Sequence, residues 1–206
     1  MTGPETNERM ILASSSPRRA ELFRKHGMDV EIIPSDAEES VPVRLTPEQT
    51  VMYLSLLKAE DVFEMNVAGK PSPADTIIVA SDTIVEKDGE ILGKPKDRED
   101  ARRMVKLLSG TSHRVLTGIC VLRAIRGASD RVTECGYDVS EVFFTPIPDD
   151  EIEAYIDTPE PYDKAGAYAI QQTFKKYTER YTGDIETIIG FPFAKFEEIL
   201  TRVMSR

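Results

Sequence analysis

Tryptophan is absent, and the chain has only two histidines (His26, His113) and two cysteines (Cys120, Cys135). Each scarcity removes a class of chemistry. Two lone cysteines make neither a disulfide framework nor a paired metal-ligand spacing, so both read as reduced thiols of a reducing compartment. Two histidines leave little for a histidine-driven nucleophile or a zinc site, and His26, close to a helix end, reads as a capping or surface residue. No apolar run approaches the roughly 18 residues of a membrane span. The opening MTGPETNER is polar, and the apolar run behind it, 10–13, is too short for a signal-peptide core. Basic charge is also short: 26 Lys and Arg face 36 Asp and Glu, a net −10. That balance excludes a nucleic-acid backbone as partner, yet a small anion remains possible where cations are gathered locally. A cytoplasmic protein with neither membrane nor nucleic-acid partner is expected.

What is present is an ordinary globular composition, 40% hydrophobic and 30% charged over 206 residues, long enough to bury a sizeable core. The length predicts a polar tail over 1–9 and a single domain over 10–206. Strands are expected at 10–13, 30–33, 76–80, 113–122, 136–145 and 185–189. Helices are expected from Pro17 to about Gly27, from a Thr46-Pro47-Glu48-Gln49 capping box into the sixties, from Asp97 to Ser109, from Pro148, and from Pro192 with Phe193, Phe196 and Leu200 on one face. Ala101, Met104, Val105 and Leu108 fall at helical spacing. Asp88-Gly89 between the apolar pairs 84–85 and 91–92 reads as a hairpin turn. Polar loops fill 66–75 and the gap between the two long strands. Strands and helices interleave, giving an α/β class with a mixed sheet.

Several residues sit awkwardly in a purely structural account. Lys58 follows Val51 by seven positions and Leu54 by four, and precedes Val62 by four, which puts an ammonium in the middle of an apolar helical stripe. It either snorkels past its neighbours or meets an anion. Asp82 comes just after the strand 76–80, where α/β folds put ligand-binding groups; it reads as a turn residue or as a catalytic carboxylate. Glu38-Glu39 is a solvated acidic loop, or one of the pair joins Asp82 around a divalent cation, since Mg²⁺ needs only one or two carboxylates. Ser14-Ser15-Ser16-Pro17-Arg18-Arg19 joins a strand to a helix N-terminus, which is either a plain cap with surface arginines or an anion site. The two arginines project about 100° apart, so one of them is expected to face it. GEILGKP superficially resembles a phosphate-binding loop, but its spacing is short and Pro95 stands where a Ser or Thr would hold magnesium. Taken together, the carboxylates, cations and helix turn suit metal-assisted attack on a phosphate ester or anhydride.

In order along the chain, LASSSPRRAELF (12–23), AEE (37–39), KA (58–59), SDTIV (81–85), GEILGKP (89–95), LSG and HRVLTG (within 108–118) and EPYDKAGAYAIQ (160–171) resemble the motifs of the Maf family over nearly the whole length. The resemblance implies a mixed α/β fold related to the inosine-triphosphate pyrophosphatases, with two lobes around a cleft, commonly a homodimer. It also implies hydrolysis of a nucleoside triphosphate to the monophosphate and pyrophosphate, with a divalent metal, Mg or Mn, as cofactor. On that pattern Asp82 is the proton acceptor; Glu39, Lys58 and Lys94 complete the catalytic set; and Asp82 and Glu39 are the metal-binding carboxylates. Ser14, Arg18 and Arg19 contact the substrate. Arg18, Thr83 and Gln171 match the branch hydrolysing dTTP and UTP, and a Gln amide can both donate to and accept from a pyrimidine edge. The alternatives are a pyrophosphatase for another modified nucleotide, or a non-catalytic nucleotide-binding regulator of cell division. The chain departs from the pattern at Ser15 and Gln172, where the family often has glycine, and in the segment TFKKYTERYTGDIETIIGFP.

Overall fold

The computed structural model describes residues 8–70, 74–126 and 131–206. The greater part of the expected tail, and the centres of the loops at 66–75 and between the two long strands, lie outside the described residues. Seven strands form one mixed sheet in the order β2-β1-β3-β5-β6-β7, with β4 paired to β3 off that path. The strands are β1 (Glu8–Leu12), β2 (Glu31–Ile32), β3 (Asp75–Lys87), β4 (Glu90–Leu92), β5 (Ser112–Ala124), β6 (Arg131–Phe144) and β7 (Thr178–Thr182). The α-helices among the described residues are α1 (Pro17–Lys25), α2 (Pro47–Asn66), α3 (Arg98–Leu108), α4 (Asp149–Ile156), α5 (Ile185–Ile189) and α6 (Phe193–Met204). β1 lies parallel to both β2 and β3, with Leu12 opposite Val79, so the mixed α/β class expected from the sequence is correct. Strand β1 starts earlier than the expected 10–13. Of its two polar leading residues, Arg9 forms an ion pair with Glu31 of the neighbouring β2 at 2.8 Å.

The described residues group into two compact units. One comprises those up to Asp82, with Thr117–Asp138 and Gly190–Arg206; the other comprises Thr83–Leu116 and Val139–Ile189. In the first, Ile11, Ala13, Ala59, Val62, Ile78, Ala80, Cys120 and Leu122 pack as one buried cluster. Beside it Phe23 meets Phe191, Phe193 and Phe196 with ring centroids 4.7–5.7 Å apart, tilted contacts worth about 0.5–1.5 kcal/mol each beyond burial. His26 stacks on Phe193 at 3.7 Å from its place at the end of α1, as a helix-end residue should. On α6 the buried stripe runs through Phe193, Phe196, Ile199 and Val203, so Leu200 is only partly covered. The second unit is built around Leu92, Val105, Leu108, Val115, Val142, Phe144, Ile152 and Phe174.

Two expectations fail. Residues 185–189 form helix α5 rather than a strand. The run IETII has strand-like composition, but periodicity cannot assign five residues, and here Glu186 and Thr187 are buried while the Glu186 N–H bonds Asp184 Oδ1 at 2.9 Å. The strand in this region is β7, hidden in the polar TERYT; it pairs antiparallel with β6, Val142 opposite Tyr181, as an exposed edge. The expected strand 76–80 is also part of a much longer one. β3 runs unbroken through Ser81-Asp82-Thr83 into the hairpin with β4, whose turn residues Asp88 and Gly89 have φ of 52° and 83°.

Candidate active site

Lys58 owes its position to α2. The helix begins with the expected reciprocal cap, Gln49 N–H on Thr46 Oγ1 and Thr46 N–H on Gln49 Oε1. Its backbone lies close against β5 at Gly118: a Cβ there would stand 2.2 Å from the Val51 carbonyl oxygen, so only glycine permits this approach. With Val51, Leu54, Ala59 and Val62 buried, Lys58 shares their face, and its side chain is only 13% exposed. The ammonium meets anions rather than snorkelling: Nζ donates to Asp82 Oδ1 at 2.5 Å and lies 2.9 Å from Glu39 Oε1. The Asp82 side chain is 9% exposed and that of Glu39 46%. Asp82 therefore sits inside a strand and not in a turn after one. The continuous β3 carries it past the point where the apolar run stops, because the polar Ser81 and Asp82 find partners within the fold.

The turn between β1 and α1 is the second element of this unit. Ser16 occupies the N-cap of α1 without capping it through its side chain; instead its N–H bonds Ser14 Oγ at 3.2 Å. Ser14 is buried and also accepts from Arg19 Nη1 at 3.2 Å, while Arg19 Nε donates to the Gly190 carbonyl at 2.9 Å. Ser81 Oγ donates to that same carbonyl at 3.2 Å, so one oxygen joins α1, β3 and the segment leading into α6. Desolvation lowers the Arg19 pKa from its ordinary value, opposed by the charges of Asp82 and Glu39 and reinforced by Arg18. Arg19 is thus the arginine folded back onto the protein frame. Arg18, half-buried in the first turn of α1, acts on it through charge.

Thr83, Lys94 and Gln171 belong to the second unit. Thr83 is half-buried on β3. Lys94 follows β4 and is exposed, with no hydrogen-bond or ion-pair partner among the described residues. Its loop is fixed on either side. Glu86 is buried; it accepts the Gly89 N–H at 2.6 Å, closing the hairpin turn, and an ion pair to Arg114 at 3.3 Å. The Gly93 carbonyl accepts the Gly166 N–H at 3.0 Å. Gly166 has φ 65°, and a Cβ on it would stand 2.9 Å from Val85, so this turn needs glycine for conformation and for space. Ala167 follows with φ 62°, an uncommon value for a non-glycine residue, and its carbonyl accepts the Tyr155 hydroxyl at 2.9 Å. Gln171 lies beyond it, exposed in a turn closed by Gln172 N–H on the Ala169 carbonyl.

Sequence reasoning passed over two supporting groups in this unit. Lys164, buried, donates from Nζ to the Glu160 carbonyl and to Asp163 Oδ1, both at 2.5 Å, bracing the turn that leads to Gln171. His113 Nε2 lies 2.6 Å from the Tyr168 hydroxyl. Burial, with a contribution from Lys87, pushes the His113 pKa down to about 3, so a neutral imidazole holds Tyr168. Both residues stand inside the quoted motifs, but only burial distinguishes them from solvent-facing neighbours.

The family model for Maf-like proteins matches residues 9–203. Among similar proteins, one from Alkaliphilus metalliredigens named dTTP/UTP pyrophosphatase is 43% identical over 193 residues, 94% of this chain and 95% of that protein. Proteins with the same name from Anaeromyxobacter dehalogenans and Acetivibrio thermocellus are 42% and 39% identical, covering 94% and 93% of this chain and 93% and 94% of their own lengths. The Ham1 protein of Staphylococcus aureus, a solved structure, aligns over 82% of this chain and 90% of its own with 14% identity and a TM-score of 0.36, a likeness too loose to add to these. With a family match over nearly its whole length, the chain belongs to the Maf family.

Proposed function

We propose that the chain is a nucleoside-triphosphate pyrophosphatase that hydrolyses dTTP and UTP to the monophosphate and pyrophosphate. The observation that carries the reading is the Lys58 ammonium held between Asp82 and Glu39 in a largely buried setting. In this reading Asp82 accepts the proton of the water that attacks the α-phosphorus, with Lys58 fixing the orientation of its carboxylate. The N-terminal turn of α1, with Ser14 and Arg18, takes phosphate oxygens, and Arg19 keeps that turn in place. Lys94, whose ammonium has no partner among the described residues, neutralises charge on the pyrophosphate. Gln171 and Thr83 read the pyrimidine.

A divalent cation, Mg or Mn, belongs to this reading as cofactor. Among the described residues no three His, Cys, Asp or Glu side chains converge, but Mg²⁺ asks for only one or two carboxylates, with water and substrate oxygens completing its shell. Asp82 and Glu39, which already share one cation in Lys58, supply that donor set, so they are the residues that would hold it. When bound, the ion would neutralise phosphate charge during the displacement. A cytoplasmic homodimer completes the proposal; among the described residues no helix is long and apolar enough to cross a membrane.

A second reading, turnover of a base-modified pyrimidine triphosphate, is favoured by one feature. Next to Gln171 in the chain, Gln172, Thr173, Lys175 and Lys176 line a shallow, solvent-open depression, in the segment where the chain departs from the family motifs. Product analysis tests the main reading: UTP should give UMP and pyrophosphate in one step, and UDP with orthophosphate as first products would refute it.

A further inference from the structure

The two cysteines, separated in sequence, are brought together by the fold. β5 and β6 are neighbours in the sheet. Cys120 is fully buried on β5 and Cys135 is partly exposed on β6. Cys135 packs against the buried cluster that contains Cys120, and the two side chains interact directly. The same cluster contains Ala59, Val62 and Phe63 of α2, so the pair adjoins the helix that carries Lys58. Both thiols are free.

We propose that Cys120 and Cys135 are a redox-modifiable dithiol that closes to an intramolecular disulfide under peroxide. Exposure assigns the two roles. Cys135, the accessible partner, attacks as thiolate: its sulfur bonds to one peroxide oxygen, the O–O bond breaks, and hydroxide leaves to be protonated to water. The Cys120 sulfur then attacks the sulfenic sulfur of Cys135, its proton leaves with the departing hydroxyl as a second water, and the S–S bond forms. One peroxide is reduced to two waters while two thiols become a disulfide. The Cys120 S–H directed at Cys135 favours the thiolate there, lowering the Cys135 pKa and raising that of Cys120. Burial and the charges of Glu60 and Glu134 oppose ionisation of Cys135. Nothing in the step depends on the proposed activity.

The test uses the full chain in native buffer. After hydrogen peroxide and quenching, the protein is denatured, alkylated with N-ethylmaleimide and weighed intact. The expected product has lost two hydrogens and takes up no label, dithiothreitol restores two labels, and peptide mapping joins Cys120 to Cys135. Cys135→Ala should leave Cys120 unoxidised, and Cys120→Ala should leave Cys135 to gain oxygen. Should either variant fail to fold, the wild-type rate decides: closure in the native state proceeds at a rate flat in urea below the unfolding transition. The proposal is overturned by two thiols that remain alkylatable, by oxygen on Cys135 with Cys120 still free, by cross-linking between molecules, or by a rate that climbs steeply with urea.

Discussion

Replacing Lys58 by methionine separates what the helix pattern implies from what the fold imposes. On the pattern alone, an ammonium in an apolar stripe is a liability, and methionine, which keeps the stem against Val51, Leu54 and Val62, should stabilise the protein. The structure reverses the sign. Lys58 Nζ is 2.5 Å from an Asp82 carboxylate whose side chain is 9% exposed, and removing one member of a buried pair leaves the other uncompensated, at a cost of about 3–5 kcal/mol. The lower end applies, because Glu39 is 46% exposed and returns to water with little loss. About 3 kcal/mol corresponds to a fall in Tm of about 6–12 °C for a chain of this size.

Asp82→Asn closes the cycle. Alone it leaves Lys58 with Glu39 and should cost less than Lys58→Met. In the double variant both charges are gone, so its stability should exceed the additive expectation by about 2 kcal/mol, well outside the roughly 0.5 kcal/mol scatter of independent sites. Urea unfolding at pH 7 of the four proteins measures this. Turnover of UTP should fall by at least about 10²-fold in both single variants and should not recover in the double variant, because stability returns without chemistry. A Lys58→Met protein as stable as wild type, or strictly additive losses, would refute the pairing. Wild-type turnover in Asp82→Asn would move the proton acceptor elsewhere.

Gly118→Ala puts a methyl 2.2 Å from the Val51 carbonyl oxygen, so α2 must lift from β5; a loss of at least about 2 kcal/mol by urea unfolding is expected, and a neutral substitution would show that the close approach does not exist. His113, with a folded-state pKa of about 3 below its unfolded value, contributes stability that is complete above about pH 6.5 and drains away as pH falls toward 3, with a slope of up to about 1.4 kcal/mol per pH unit. His113→Phe should flatten that slope in unfolding experiments between pH 4 and 6, and an unchanged slope would assign it to other groups. Gln171→Ala should lower kcat/KM for dTTP and UTP by roughly ten- to a hundredfold and spare other triphosphates; equal losses on all of them would place base recognition elsewhere.

The fold was most legible where local chemistry and tertiary burial agree. The Thr46 capping box, the Asp88-Gly89 hairpin and the Asp97 cap of α3, which accepts the Asp100 N–H at 2.8 Å, are each decided within a few residues, so the chain announces them. Residues 178–189 failed for the opposite reason. Thr178–Thr182 is polar because β7 is an exposed edge, and its strand character comes only from pairing with β6. Ile185–Ile189 has β-branched composition, but the burial of Glu186 and Thr187 and the Asp184 bond make it a helical turn. In the first segment a distant partner overrides local preference; in the second, a bond two residues away and burial do.

At the site, a misfit to its surroundings was the informative signal, and it gave the residue but not the partner. Lys58 stood out because nothing in a helical stripe explains a charge, yet the pattern could not say whether solvent, substrate or protein receives it; the answer, Asp82 and Glu39, lies 24 and 19 positions away in sequence. Asp82 stood out for a reason the fold does not support, since it lies within β3 rather than beyond it. What the strand provides instead is rigidity: a carboxylate on the interior of a long strand, held by an ammonium on a helix that a glycine lets down onto the neighbouring strand, has little freedom to turn. Lys164 and His113 left no such signal, because their misfit arises only on burial. A lysine beside Asp163 and a histidine beside an arginine look like surface residues until the fold encloses them. The Lys58–Asp82 pair and the buried His113 therefore differ in how they can be found: the first by asking which charge lacks a reason in its own helix, the second only once the neighbours are known.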